Sequence, residues 1–390
     1  MRTRLQHVAR DERGMSLVFV TVSFMAVLTA TTLAIDVGMF MNSRSQAQNA
    51  ADAGALAGAV GLAYNSWTDR SPSGPAVQSA INTGKTNLVD RKAVDILPSD
   101  VTFPLDPNGQ PNRVAVKVFR TAARNNPVST LMGHIFGVDQ VDIVAEATAE
   151  VSKANAETCI KPFTIPDRWI ENQTGPWDPE DTFDLYASKN KELANKDVYN
   201  PIRMPDGSSN PDYSGYDQER DRGLQIVLKA NNQSKVSPSF YNPWALPGRG
   251  GAADYREDIE NCNSAVLEIG YLMDAEPGNM VGPTAQGTDG LVDKDPNAYW
   301  DNGCKCVKGS AFRTSPRVVV IPVYDPVYYE TGKQNGSNAS LKIANFIGFF
   351  IEKMTGNEVT GRITPVGGVF KGSAGPAPNG SFPIVIRLVK

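Results

Sequence analysis

The chain has 390 residues, enough for two or three domains, and its 38 basic and 42 acidic side chains leave a formal net charge of −4. That balance offers no basic field to a phosphate backbone, so nucleic acid is not an expected partner. With 34 glycines and 27 prolines, many of them between residues 160 and 310, the chain predicts long loops threading between short strands, a texture suited to a binding or structural surface.

From Met15 to Ile35 run 21 residues without a charge. As a helix they would be ~31 Å long at about 1.5 Å per residue, the thickness of a hydrocarbon core, and they predict a membrane-spanning segment. The run carries several polar residues, among them Thr21, Ser23, Thr29, Thr31 and Thr32, whose hydroxyls can bond back to the helix's own carbonyls. Arg2, Arg4, Arg10 and Arg13 precede the run, and Arg44 is the only basic residue in the thirty after it. The positive-inside bias therefore places the N-terminus in the cytoplasm and the chain beyond about residue 40 on the far side. A cleaved secretory signal is the alternative, but the run exceeds an h-region of about 7 to 15 residues and no clean A-x-A site follows it.

Residues 42 to 63 (NSRSQAQNAADAGALAGAVGLA) contain no proline and many alanines, and predict that the helix continues past the membrane. Small residues recur every four positions, Ala47, Ala51, Ala55 and Ala59 on one row and Ala50, Gly54 and Gly58 on the next. Such a ridge lets another helix approach closely. It fits either a partner helix or a stalk packed on its own domain. Ser71 to Pro75 reads as a break.

After the break, Val114, Val116 and Val118 alternate with Ala115, Lys117 and Phe119 as in a half-buried strand, Val141 to Val151 offers a second strand, and Val128 to Phe136 suggests a short helix. From Cys159 proline-rich loops take over, with a strand candidate at Leu224 to Lys229. Regular strand patterns return at Arg317 to Tyr324, Leu341 to Glu352 and Pro383 to Val389. The expected architecture is α+β: a cytoplasmic tail (1–14), a transmembrane helix (15–41), an Ala-rich helix (42–70), a small α+β unit (71–155), and a β-rich, loop-rich exported domain (156–390).

Four cysteines, Cys159, Cys262, Cys304 and Cys306, lie in the exported part. An even number there suggests two disulfides. Adjacent pairing of Cys304 with Cys306 would be strained, so each is expected to close a long loop to Cys159 or Cys262. A zinc site is the competing reading, but the spacing is CxC and the only histidines are His7 and His134.

Candidate chemistry is sparse. His134 sits in an apolar helix candidate, where a hydrogen-bonded packing role is expected, and no G-x-S-x-G accompanies it. Gly84-Lys85-Thr86 resembles the end of a phosphate loop, but Ser79 stands where the pattern requires glycine, so no nucleotide is expected. Asp293, Asp295 and Asn297 open like a calcium loop that Ala298 and Cys304 then break. Asp206-Gly207-Ser208-Ser209 lacks the order of a metal-dependent adhesion site. Asp217, Glu219 and Asp221 are expected to solvate a polar loop. No cofactor, metal or catalytic residue is predicted.

The residues RGMSLVFV, LAIDVG (Leu33 to Gly38) and QAQNAADAGALAGA (Gln46 to Ala59) resemble the N-terminal module of TadG-like proteins of the tight-adherence (Tad, or Flp) pilus system. Downstream, CIKPFTIPDRW, EPGNMVGPTAQGTDGLV and RVVVIPVYDP look like the exported part of the same group. The resemblance implies a single-pass bacterial inner-membrane or pilus-associated protein, noncatalytic, with other Tad/Flp assembly proteins as partners. It also suggests a processing site between Gly14 and Met15. Pilin-like precursors carry glutamate five residues into the mature chain, whereas Phe19 stands there here, and the von Willebrand A metal motif of some TadG proteins is absent. A membrane-tethered adhesin or ligand-binding protein is the alternative function.

Overall fold

A computed structural model describes residues 13–231, 235–334 and 341–389. Of the tail expected at 1–14, residues 1–12, including His7, Arg2, Arg4 and Arg10, lie outside the described residues. The fold is α+β, with a long apolar N-terminal helix followed by a β-rich region that contains a closed barrel. The chain divides into two compact units, Met1–Glu150 with Ile386–Lys390, and Val151–Val385.

The first unit is organised by α1 (Arg13–Tyr64), 52 residues that contain no proline. At about 1.5 Å per residue it is ~78 Å long. The break that follows is tied by Asp69, whose carboxylate accepts the Ser71 backbone N–H and hydroxyl, and α2 (Pro75–Thr86) then starts on a proline, whose missing N–H costs nothing in a first turn. Ala76, Val77, Ala80, Ile81 and Gly84 give α2 one buried face, which packs on α1.

Beneath the helices lies a sheet in which β2 (Arg113–Arg120) pairs antiparallel with β1 (Val101–Thr102) and β3 (Ile143–Lys153). Val114, Val116 and Val118 stand opposite Ala149, Ala147 and Ala145, so one face is apolar throughout. The small residues of α1 match this layer. A Cβ on Gly58 would come within 2.7 Å of Val114 Cγ1 and 3.1 Å of Ala80 Cβ, so glycine sets the helix spacing there.

The second unit is built on six strands: β4 (Phe163–Pro166), β5 (Gln225–Ala230), β6 (Phe240–Ala245), β8 (Val318–Tyr324), β9 (Leu341–Thr355) and β10 (Glu358–Thr364). A seventh, β7 (Leu272–Ala275), precedes β8 in the chain. Strand β8 pairs in parallel with β4 and antiparallel with β9, β9 with β10, β10 with β5, β5 in parallel with β6, and β6 with β4. The circuit therefore closes into a barrel, which leaves those strands no open run of edge. Strand β7 joins β6 to β9 as a branch.

Inside the barrel pack Ile165, Ile226, Leu228, Val319, Ile321, Val323, Ile347, Phe349 and Ile363. Other residues of the same strands, Val320, Tyr324 and Phe346, with Ile343 beyond a register irregularity, join Trp169, Trp244 and Met273 in a second core. Strand β9 is thus buried on both faces, which explains its nearly continuous apolar sequence. Gly361 is required where the Phe349 ring crosses it, since a Cβ would meet that ring at 2.3 Å. Helices α3 (Ala252–Glu260) and α4 (Val281–Lys294) cross closely at Gly287, against Ile259, and α5 (Pro326–Gln334) follows β8.

Several expectations are corrected. Cys159 pairs with Cys262, but Cys304 pairs with Cys306 instead of closing a long loop. The two sit in the turn of an antiparallel pair, Tyr299–Asp301 with Cys306–Lys308, where Lys305 takes a left-handed conformation (φ 49°) and the two Cα atoms lie 5.2 Å apart, within normal bridging range. The segment 128–136 is not a helix but a strand pair, Val128–Ser129 with Gln140–Val141, carrying one 3₁₀ turn at Gly133–Phe136, and His134 is exposed on it. The last strand, β11 (Ile384–Val389), expected in the distal domain, lies beside β3 in the sheet of the first unit, where Arg387 pairs with Glu150. Asp221 is buried and bonded to Arg168 and Arg220, not solvated.

Two stability outcomes follow from these contacts. Removing the Cys159–Cys262 bridge, which spans 103 positions, should cost about 2–5 kcal/mol, against at most about 1.5 kcal/mol for Cys304–Cys306, because loop entropy scales with the logarithm of loop length. Denaturant unfolding of the two double-serine variants in detergent measures the contrast. Gly58→Leu should lower stability by about 1–3 kcal/mol or more, whereas Val60→Ala at an exposed position of the same turn should change it by less than about 0.5 kcal/mol.

Candidate functional site

Helix α1 changes character along its length. From Met15 to Ile35 its large apolar side chains are 43–71% exposed in every direction, so this stretch has no packing partner among the described residues. Its four threonine hydroxyls are internally satisfied: Thr21, Thr29 and Thr31 donate to the carbonyls of Leu17, Met25 and Val27, each at 2.8 Å, and Thr32 to that of Thr29. A helix that is apolar all round, with its threonine hydroxyls turned back on its own backbone, is long and apolar enough to cross a membrane. Gly14 and Met15 fall in its first turn, and Phe19 is exposed on it.

At Asp36 the environment switches. This residue is 5% exposed, and its carboxylate accepts the backbone N–H groups of Leu131 (3.0 Å) and Met132 (3.1 Å). From there on one side of α1 is covered. Ala47, Ala50, Ala51, Gly54, Ala55, Gly58 and Ala59, the ridge singled out in the sequence, are all buried, with Gly54 and Gly58 against Ala80, Val116 and Val114. The structure thus places the ridge at the crossing of α1 with α2 and β2 of the same chain.

The second unit carries a cleft of about 460 Å³ beside the Cys159–Cys262 disulfide, lined by Glu157, Lys161, Lys294 and Val318 among others. Glu157 is 2% exposed; its Oε2 accepts the Thr158 N–H while Oε1 has no hydrogen-bond partner among the described residues. Burial pushes its carboxyl up to about 8, against the single backbone hydrogen bond that opposes it. Burial likewise pushes the Lys161 ammonium down to about 7, helped by the charge of Lys294, while the ammonium donates to the carbonyls of Asp258 and Asn261. Sequence reasoning missed both; the signal was their placement two residues either side of Cys159.

A second buried polar centre orders the proline-rich tract. The Asp167 carboxylate accepts the hydroxyls of Tyr199 (3.0 Å) and Tyr213 (2.6 Å) and the N–H groups of Tyr216 and Arg168. Asn345 on β9 in turn donates to Tyr213 Oη. Burial raises Asp167 to about 6 even with these four donors. Every lone pair is engaged, so this centre has a structural chemistry and no free base.

The remaining sequence candidates are also structural. Asp295 accepts the Ser310 and Ser315 hydroxyls, Asp206 closes a turn onto Ser208, and Gly84 of α2 faces Ile96. Among the described residues no group of three or more His, Cys, Asp or Glu could hold a metal ion.

The Glu157 carboxyl gives the second unit a defined pH response. With a folded pKa near 8 and an unfolded value of about 4.3, its neutral form is favoured by folding; that contribution is complete below about pH 4 and is lost as pH rises through 8. Glu157→Gln should therefore match the parent chain near pH 4 and exceed it in Tm by on the order of 5 °C or more at pH 8. Thermal unfolding at the two pH values reads the difference.

No curated protein and no solved structure matches this chain. Residues 14–61 match one family model, Tad, described as "Putative Flp pilus-assembly TadE/G-like". The match begins at the exposed apolar stretch, passes through Asp36 and takes in the whole buried ridge. Over residues 14–61 the N-terminal helix of this chain is accordingly similar to the TadE/G-like, Flp pilus-assembly family.

Proposed function

We propose that the chain is a single-pass, noncatalytic component of Flp pilus assembly or of the minor pilus structure, with other Tad/Flp proteins as its partners. In this reading residues 15–35 cross the inner membrane, the N-terminus is cytoplasmic, and both units lie on the far side. The observation that carries it is the fully exposed apolar stretch opening a module of the pilus-assembly type. Two disulfides support the oxidising side of the membrane for the second unit. Phe19, where pilin-like precursors carry glutamate, favours an uncut, permanent anchor over a subunit released after Gly14.

Because the small-residue ridge is already covered by α2, contacts with partner helices fall to the exposed span. There, packing between helices relies on van der Waals fit, with Ser and Thr as occasional polar contacts. A photo-crosslinking residue at Phe24 or Leu28, in cells that make Flp pili, should yield adducts with another pilus-assembly protein. Intact mass of the native protein should retain the arginine-bearing N-terminus. Adducts with lipid alone would remove the span as a partner surface, and a mature chain beginning at Met15 would replace the anchor with a processed subunit.

A further inference from the structure

The loop held by Asp36 has a feature that its fold does not use. Between the strands Val128–Ser129 and Gln140–Val141 it presents Leu131, Ile135, Phe136 and Val138 at 53%, 63%, 56% and 49% exposure. Four large apolar side chains on one short loop are too many for a water-facing turn. Its position tells what they face. Contacts between the sheet and α1 descend the helix in order: Val114 lies against Gly58, Val116 against Gly54, the Glu146 carbonyl accepts from Gln48, and the Leu131 and Met132 N–H groups reach Asp36. From Gly58 to Asp36 this covers ~33 Å at about 1.5 Å per residue. The loop is therefore the end of the first unit nearest the apolar span, at the level where the uncharged run stops after Ile35.

Its backbone is also prepared for a dry setting. Thr130 N–H donates to Asp139 O, Thr130 Oγ1 to Val138 O, Val138 N–H to Gly133 O and Gly137 N–H to His134 O, while Asp36 takes the N–H groups of Leu131 and Met132. Few polar groups would be stranded on leaving water. The loop carries no lysine or arginine, so anionic headgroups are not what would hold it.

We propose that Leu131–Val138 is a membrane-interface wedge. It inserts its apolar side chains between the lipid headgroups and upper acyl chains beside the exit of α1, with Asp36 as the residue that positions it. This rests on the reading of residues 15–35 as a spanning helix. The wedge gives the first unit a second point of attachment, so that the unit stands in a fixed orientation on the bilayer instead of swivelling about one helix.

The test uses the full chain in phosphatidylethanolamine–phosphatidylglycerol vesicles, with an NBD fluorophore on a cysteine placed at Phe136, at Phe24 within the span, or at Asn108 on another exposed loop of the same unit. Doxyl-labelled lipids report depth. Phe136 should be quenched most by labels near the headgroup, about threefold more than Asn108, with no loss on adding salt, and Phe24 most by labels deep in the acyl chains. Asp36→Ala should reduce quenching at Phe136 and leave Phe24 unchanged. Quenching at Phe24 with none at Phe136 overturns the wedge while leaving the span intact; no quenching at Phe24 overturns the span and the wedge with it. An unchanged signal at Phe136 in Asp36→Ala removes the positioning role.

Discussion

The structure of the first unit depends on α1 being one unbroken helix. Hydrogen bonds within its own backbone satisfy its peptide groups whether its sides face lipid, protein or water, so it can pass from one surrounding to another without a loop. What changes is the side-chain surface. Before Asp36 it is apolar on every side; after Asp36 small residues line one flank, and the flank opposite leaves Asn42, Ser45 and Asn49 exposed. The small residues make the second half work, because an Ala/Gly flank lets α2 and β2 approach so closely that Gly58 has no room for a methyl group.

That geometry bears on how a small-residue ridge is read. In a sequence, such a ridge is equally compatible with a helix from another subunit and with one from the same chain, because both need the same close approach. Here α2 and the Val114–Val118 strand take the place. A partner is then left with the span, with the exposed flank of α1, or with the second unit.

Much of the scaffold was legible because its signals are local. An uncharged run of 21 residues, the alternating valines of 114–118, and the apolar runs at 317–324 and 341–352 each depend on a window of a few residues, and each forms the helix or strand expected of it. What escaped depends on partners distant in sequence. Val128 to Phe136 has apolar residues at helical spacing, but Gly133 and Gly137 and the Asp36 carboxylate select a 3₁₀ turn in a hairpin. Asp221 looks solvated until Arg168 and Arg220 close over it. The Cys304–Cys306 bridge depends on one left-handed lysine between them. The barrel itself is invisible in the sequence, since closing it needs β4 to pair with β8 and β5 with β10, strands far apart in the chain.

In the second unit, long loops and a closed barrel solve one problem together. A barrel leaves few strand edges to pair with, so the proline-rich tract from Cys159 to Asn210 must find other anchors. It finds them in buried polar centres: Asp167 gathers Tyr199, Tyr213 and Tyr216, Asp197 accepts the N–H groups of Asn172 and Asp184, and Asn345 links the first of these to the longest strand. Such centres are directional where apolar contacts are not, and they fix a loop's path at the cost of desolvating a carboxylate. Glu157 departs from that pattern: it is as buried as Asp167 but has one donor where Asp167 has four. The difference in satisfaction accounts for the difference in acidity, and it leaves the cleft beside the disulfide as the one described place in this unit where a deeply buried carboxylate oxygen has no hydrogen-bond partner.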